Sequence, residues 1–185
     1  MKFIRLVGTI GLCFFVFCEI GLYRSEAVET IREFAGAKKC SLCHKSPAQG
    51  EQYKSWLESG HAKAFRILAS DRAKSLGASV GVSDPQKSPK CLKCHSTAYY
   101  FAEKIVSRKI LVEEGVSCES CHGPGADYAK KNIMKDKPLA VEKGLLVPDE
   151  KTCRQCHGAG GPVPEIFDFK KSWAKIKHPR TEETR

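Results

Sequence analysis

The chain has 185 residues, of which 42% are hydrophobic and 28% charged, and its formal net charge is +10. An excess of that size invites a nucleic-acid partner, but no groove-reading motif accompanies it, so that class is excluded. Ten cysteines direct attention instead to cofactor, metal or disulfide chemistry.

The N-terminus has the layout of an export signal. Lys2 and Arg5 form a basic head, residues 6–18 carry no charge, and Ser25-Glu26-Ala27 offers small residues at the two positions a signal peptidase reads. Residues 1–27 are therefore expected to be a leader, with a mature domain over 28–185 beginning at Val28. Cys13 and Cys18 would leave with the leader, and neither follows a small residue, which argues against a lipoprotein anchor. An uncleaved anchor is the competing reading, since Ile20 to Tyr23 lengthen the apolar run towards a membrane span.

Beyond the leader, one signature occurs four times: Cys40-Ser41-Leu42-Cys43-His44, Cys91-Leu92-Lys93-Cys94-His95, Cys118-Glu119-Ser120-Cys121-His122 and Cys153-Arg154-Gln155-Cys156-His157. In a helical turn, positions i, i+3 and i+4 share a face, so two thiols and an imidazole can meet one macrocycle. This is the pattern of c-type haem attachment, with thioethers to the haem vinyl groups and the histidine as an axial iron ligand. Cys91, Cys94, Cys118 and Cys121 alone could pass for a zinc ribbon, but a ribbon has no need of a histidine after every pair. All eight cysteines outside the leader are consumed by the four motifs.

Between motifs one and two, Glu51 to Ser70 is the best predicted helix. Tyr53, Trp56, Leu57, Gly60, His61, Ala64, Phe65 and Leu68 recur at helical spacing and form one stripe. His61 lies within that stripe. A histidine there is ordinarily a hydrogen-bonded core residue, but in a chain with four irons and few spare imidazoles it is a candidate distal ligand. Asp84-Pro85 to Pro89 reads as a loop leading into motif two. Motif three ends in Gly123-Pro124-Gly125, which permits close backbone approach at a sharp turn.

Near the C-terminus, Lys171-Ser172-Trp173 followed by His178 repeats Lys54-Ser55-Trp56 followed by His61. His178 does not continue the face of Phe169, Trp173 and Ile176, yet Pro179 biases it towards an extended conformation from which it can swing in as a second distal ligand. Met134 lies in a polar stretch, and Tyr99 and Tyr128 are candidates to line a haem edge.

These elements imply a mainly α fold with extensive irregular loops, organised around four covalently bound haems. About forty mature residues per cofactor rarely build a core unaided, so the haems must supply much of it, and the apo chain should be largely unfolded. The mature polypeptide carries +9, and two propionates per haem nearly cancel it. Much of the Lys and Arg content then serves propionate pairing and solvated surface. Lys38-Lys39, Lys130-Lys131 and Lys170-Lys171 could alternatively form a docking patch for an acidic redox partner.

The sequence resembles the tetrahaem cytochrome c-554 family. The resemblance rests on Ser59-Gly60-His61-Ala62-Lys63-Ala64 after Trp56, on Cys91 to His95, on Gly115 to Gly125, and on Cys153 to His157 followed by Phe167-Asp168-Phe169 and Ile176-Lys177-His178-Pro179. It implies a periplasmic electron carrier with closely packed haems, with His44, His95, His122 and His157 as proximal ligands and His61 as a distal one. It leaves the donor and acceptor proteins open.

The chain departs from a fully bis-histidine cytochrome. It has six histidines, and with four committed to motifs only His61 and His178 remain for four distal positions. The other haems would be five-coordinate, bind water, or take Met134, a lysine, the Val28 amine or a ligand from a neighbouring subunit. That shortfall raises a second function, a haem enzyme acting on a small nitrogen species such as nitric oxide, nitrite or hydroxylamine. No spare histidine remains as proton donor, which places catalysis behind electron transfer. A membrane-anchored quinol dehydrogenase would need the leader to be retained, and a polymeric haem wire would need a neighbour to complete a ligand set.

Overall fold

The computed structural model describes residues 32–100, 109–158 and 166–178. The expected leader over 1–27 and the Val28 amine lie outside the described residues, as does Pro179. Eleven short helices carry the described chain: α1 Ala37–His44, α2 Gln52–Glu58, α3 Ala64–Ile67, α4 Asp71–Ser79, α5 Pro89–His95, α6 Thr97–Tyr100, α7 Cys118–His122, α8 Lys131–Met134, α9 Lys137–Glu142, α10 Glu150–Arg154 and α11 Phe169–Ile176. Among the described residues there is no strand, and no helix is long and apolar enough to cross a membrane. The expectation of a mainly helical, loop-rich chain holds.

The long helix predicted over Glu51 to Ser70 is broken in three. α2 stops at Glu58 because Ser59 turns extended (ψ 164°). The Ser59 hydroxyl then donates back to the Trp56 carbonyl at 2.7 Å, offering the chain an alternative to the helical ladder. Gly60 follows, and a 3-10 turn over His61–Lys63 leads into α3. The break leaves Leu57 and Gly60 of the predicted stripe exposed and rotates His61 away from a simple continuation of the Trp56 face.

Helix starts follow local chemistry. Asp136, Asp149 and Asp168 cap α9, α10 and α11 by accepting from the third backbone N–H of each helix, as short polar side chains do at an N-terminus. The loop predicted ahead of motif two runs to Ser88, and Pro89 opens α5 at its first position, where its missing N–H costs nothing.

The apolar interior is small. Among the described residues ten hydrophobic side chains are buried, and six of them gather into two clusters of three: Phe34, Ala98 and Ile110, with Val112 against them, and Tyr128, Ile133 and Ala140, with Met134, Leu139 and Leu145. Much of the connectivity is polar instead. Arg32 donates to the Lys143 carbonyl at 2.6 Å, Trp56 Nε1 donates to the Val116 carbonyl at 2.8 Å, and Thr97 Oγ1 accepts from Ser117 N at 2.7 Å. The first ties the lead-in to α1 onto the end of α9, and the other two bring α2 and α6 onto the segment leading into motif three.

Candidate functional site

Motifs one, two and three each lie within a helix, at the C-terminal ends of α1, α5 and α7. Motif four differs. α10 ends at Arg154, and Cys156 and His157 follow in a turn whose N–H groups both return to the Cys153 carbonyl, at 3.2 and 3.0 Å. All four thus present two thiols and an imidazole within about one turn, as the spacing predicts.

The thiols meet across motifs that are distant in sequence. The thiols of Cys40 in motif one and Cys118 in motif three lie close enough to act on each other's ionisation. Cys94 of motif two and Cys121 of motif three likewise lie close enough to act on Cys156 of motif four. None of the eight described cysteines is in a disulfide. Burial pushes the Cys121 thiol up to about 11, with Cys153 adding to it, and burial with the neighbouring Cys94 pushes Cys156 up to about 12. The zinc-ribbon alternative finds no support in this arrangement. Among the described residues no three of His, Cys, Asp and Glu converge as a bare metal ion would require, and the thiols of motif two adjoin motif four instead of motif three.

The imidazoles are held by acceptors. His95 Nδ1 lies 2.8 Å from the Ala64 carbonyl, His122 Nδ1 lies 3.2 Å from the Leu146 carbonyl, and His44 Nδ1 lies 3.3 Å from Gln52 Oε1. The Gln52 amide nitrogen donates to the Gln49 carbonyl, which turns its oxygen to His44. Each Nδ1 therefore donates, and each Nε2 keeps its lone pair for a metal. His157 is oriented differently, stacked on Phe167 with ring centroids 4.8 Å apart and planes 14° apart; Arg154 lies over the other ring neighbourhood, 5.5 Å from the Phe167 centroid.

The two histidines outside the motifs each approach a motif histidine. His61 and His157 have ring centroids 6.0 Å apart, and His178 and His122 are 5.9 Å apart. Burial lowers the proton affinity of His61, and His157 lowers it further. Burial likewise lowers His122, offset in part by the Leu146 carbonyl and reinforced by His178 and His44. Neutral imidazoles are the form that ligates iron. His178 reaches its position because Lys177, after α11, turns extended (ψ 134°), the swing expected at the helix end. His44 also lies close enough to His122 to act on it.

Other sequence candidates take different places. Met134 packs on the Tyr128, Ile133 and Ala140 cluster. Tyr128 is buried, and its hydroxyl bridges the His122 and Gly123 carbonyls at 3.0 and 2.9 Å. Two residues escaped the sequence reading. Gln52 had no signal beyond its distance of eight residues from His44, and Glu119, hidden inside motif three, is fully buried. A charged residue flanked by two cysteines and followed by glycines was the signal available for the second.

The glycines of this region are required by contact. A Cβ at Gly115, where φ is +67°, would lie 2.7 Å from the His61 carbonyl oxygen, and one at Gly123, where φ is +75°, would lie 2.9 Å from that of Gly144. The backbone after motif three thus approaches α9's exit as closely as the Gly-Pro-Gly run predicts.

The donor set fits haem c. Eight thiols outside any disulfide and imidazoles with Nε2 available stand at attachment spacing. Ser117 Oγ, buried directly before motif three, has no hydrogen-bond partner, and the apolar core is too small to organise eleven helices alone. A helical chain of this kind has the features of a c-type cytochrome. Residues 39–123 match the family described as cytochrome c554 and c-prime. Cytochrome c-554 of Nitrosomonas europaea is 33% identical over 135 residues, covering 69% of this chain and 52% of that protein. The chain thus spans about half the length of that relative. No solved structure matches it. Through the matched segment the chain belongs to the cytochrome c-554 family, and haem c is the cofactor that membership brings.

Proposed function

We propose that this chain is a tetrahaem cytochrome that relays single electrons between redox partner proteins in the periplasm. The observation that carries the reading is the convergence of four CxxCH segments in two thiol pairs, motif one with motif three and motif two with motif four. Cys40 and Cys43, Cys91 and Cys94, Cys118 and Cys121, and Cys153 and Cys156 would hold the haems, with His44, His95, His122 and His157 as proximal ligands. His61 is positioned to complete the ligand set of the haem held by His157, and His178 that of the haem held by His122. When bound, haem c supplies a one-electron ferric/ferrous couple. Burial favours the neutral form of His61 and His122, contacts at Nδ1 orient His44, His95 and His122, and the closeness of the motif pairs would make their cofactors neighbours. Intact mass and pyridine haemochrome analysis of exported protein test this directly. Four haems per chain are expected, and fewer than four, or bound zinc, would sink it. N-terminal sequencing of the same material should begin at Val28.

A second reading has a specific observation behind it. His61 pairs with His157 and His178 with His122, and a chain with six histidines has none beyond His44 and His95 to supply as a second ligand to either, so their haems would offer a sixth position to water or to a small nitrogen ligand. Electron paramagnetic resonance of the ferric protein, with nitric oxide then added to the reduced form, separates the two. A high-spin signal that responds to the ligand supports an enzyme, and four low-spin haems that ignore it support a pure carrier.

A further inference from the structure

Glu119 is the second residue of motif three, and its side chain is 0% exposed. Its Oε1 accepts from Ala35 N at 2.8 Å and from Gly125 N at 2.6 Å, and its Oε2 accepts from Gly36 N at 2.8 Å. Among the described residues its hydrogen-bond partners are backbone donors alone, and none is a basic side chain. The donors come from two places: the strand of chain leading into α1, and so into motif one, and the loop leaving motif three. Gly125 is at the limit of approach, since a Cβ there would lie 3.0 Å from Oε1. Joining the two segments would not by itself need a charge. An unpaired carboxylate in a low-dielectric interior carries a desolvation cost that a neutral bridge avoids, and what it adds is a field. That field falls on motif three, which contains Glu119, and on the lead-in to motif one, whose Ala35 and Gly36 amides it binds; Glu119 is among the charges acting on Cys40 and Cys118, whereas the groups acting on Cys156 of motif four are Cys94, Cys121 and Lys93.

We propose that Glu119 is an electrostatic positioning residue that selectively lowers the reduction potential of the haem pair held by motifs one and three. The inference rests on the four-haem reading above. Ferric haem carries one more positive charge than ferrous haem, so a fixed buried anion beside the pair favours the oxidised state. It also binds the lead-in of one haem site to the exit of the other, so the same group fixes both their spacing and their potential.

The test is spectroelectrochemistry of exported Glu119→Gln holoprotein, with haem content measured by intact mass and spin state by electron paramagnetic resonance. The expected result is four haems with unchanged spin states and two of the four one-electron waves moved to higher potential. The ferrous-to-ferric ratio of those two haems at a fixed applied potential should rise about tenfold, which is about 59 mV for a one-electron couple. Ala35→Pro removes one N–H donor while keeping the charge, and it should move the same two waves the opposite way. It decides the matter if Glu119→Gln yields no holoprotein. Waves that stay in place, or that all move together, would overturn the assignment while leaving four haems intact. A wild-type chain with fewer than four haems would instead overturn the underlying reading.

Discussion

His61 and His178 are the residues on which the ligand assignment turns, and they separate experimentally. Each faces a different motif histidine, at 6.0 and 5.9 Å between ring centroids. His61→Ala should therefore convert one low-spin haem to high spin, and His178→Ala a different one, with the double variant additive by electron paramagnetic resonance. If both single variants altered the same signal, the pairing would be wrong. Glu114 gives a pH prediction at the same scale. Burial raises its pKa, opposed in part by the hydrogen bond from Ala37 N. A carboxyl whose folded pKa exceeds its unfolded value contributes stability at low pH and loses it as pH rises through the folded value. Glu114→Gln should match the wild-type Tm near pH 4 and exceed it at neutral pH. A wild-type advantage that grows with pH would show the carboxylate to be stabilising.

At the scale of elements, two contacts lend themselves to substitution. Gly115 is held at φ +67° against the His61 carbonyl, so Gly115→Ala forces both an unfavourable backbone region and a collision with backbone. It should lower holoprotein stability by about 1–3 kcal/mol, read from thermal unfolding. Asp149 caps α10 in a reciprocal arrangement with Thr152, and those bonds hold its carboxyl below the usual range. That contribution is present above the ordinary aspartate pKa and is lost as pH falls through the depressed one. Asp149→Ala should accordingly lower Tm at neutral pH and become indistinguishable from wild type in strong acid.

The same elements show what could be read from residues alone. The four motifs, the loop before Pro89, the glycine contacts after motif three and the inward turn of His178 were all legible, because each depends on local stereochemistry or on a spacing of a few residues. The break in the helix predicted over Glu51 to Ser70 was not, since the apolar period runs on through Ser59 and Gly60 while the helical backbone does not. Glu119 and Gln52 were illegible for a different reason. Their partners, Ala35, Gly36 and His44, are fixed by how separate segments meet, and no pattern in sequence announces a carboxylate enclosed by amides.

At the scale of the molecule, ten buried hydrophobic side chains among the described residues cannot offset the conformational entropy of so long a chain. Cofactor attachment must complete the interior. Chain retained in the cytoplasm, where no haem is attached, should show little helical circular dichroism and no cooperative melt, whereas the exported protein should show both. A cooperative melt in the haem-free chain would assign the stability to the polypeptide.

The order in which the thiol pairs form along the chain has a consequence for biogenesis. Cys40 meets Cys118 and Cys94 meets Cys156, so the two partnerships interleave. Synthesis from the N-terminus delivers motifs one and two before either has its companion. No cut between motifs two and three leaves a complete partnership on either side. On the proposed four-haem reading, gene fission between motifs two and three would split both partnerships at once, so the set does not divide there into two self-contained dihaem halves.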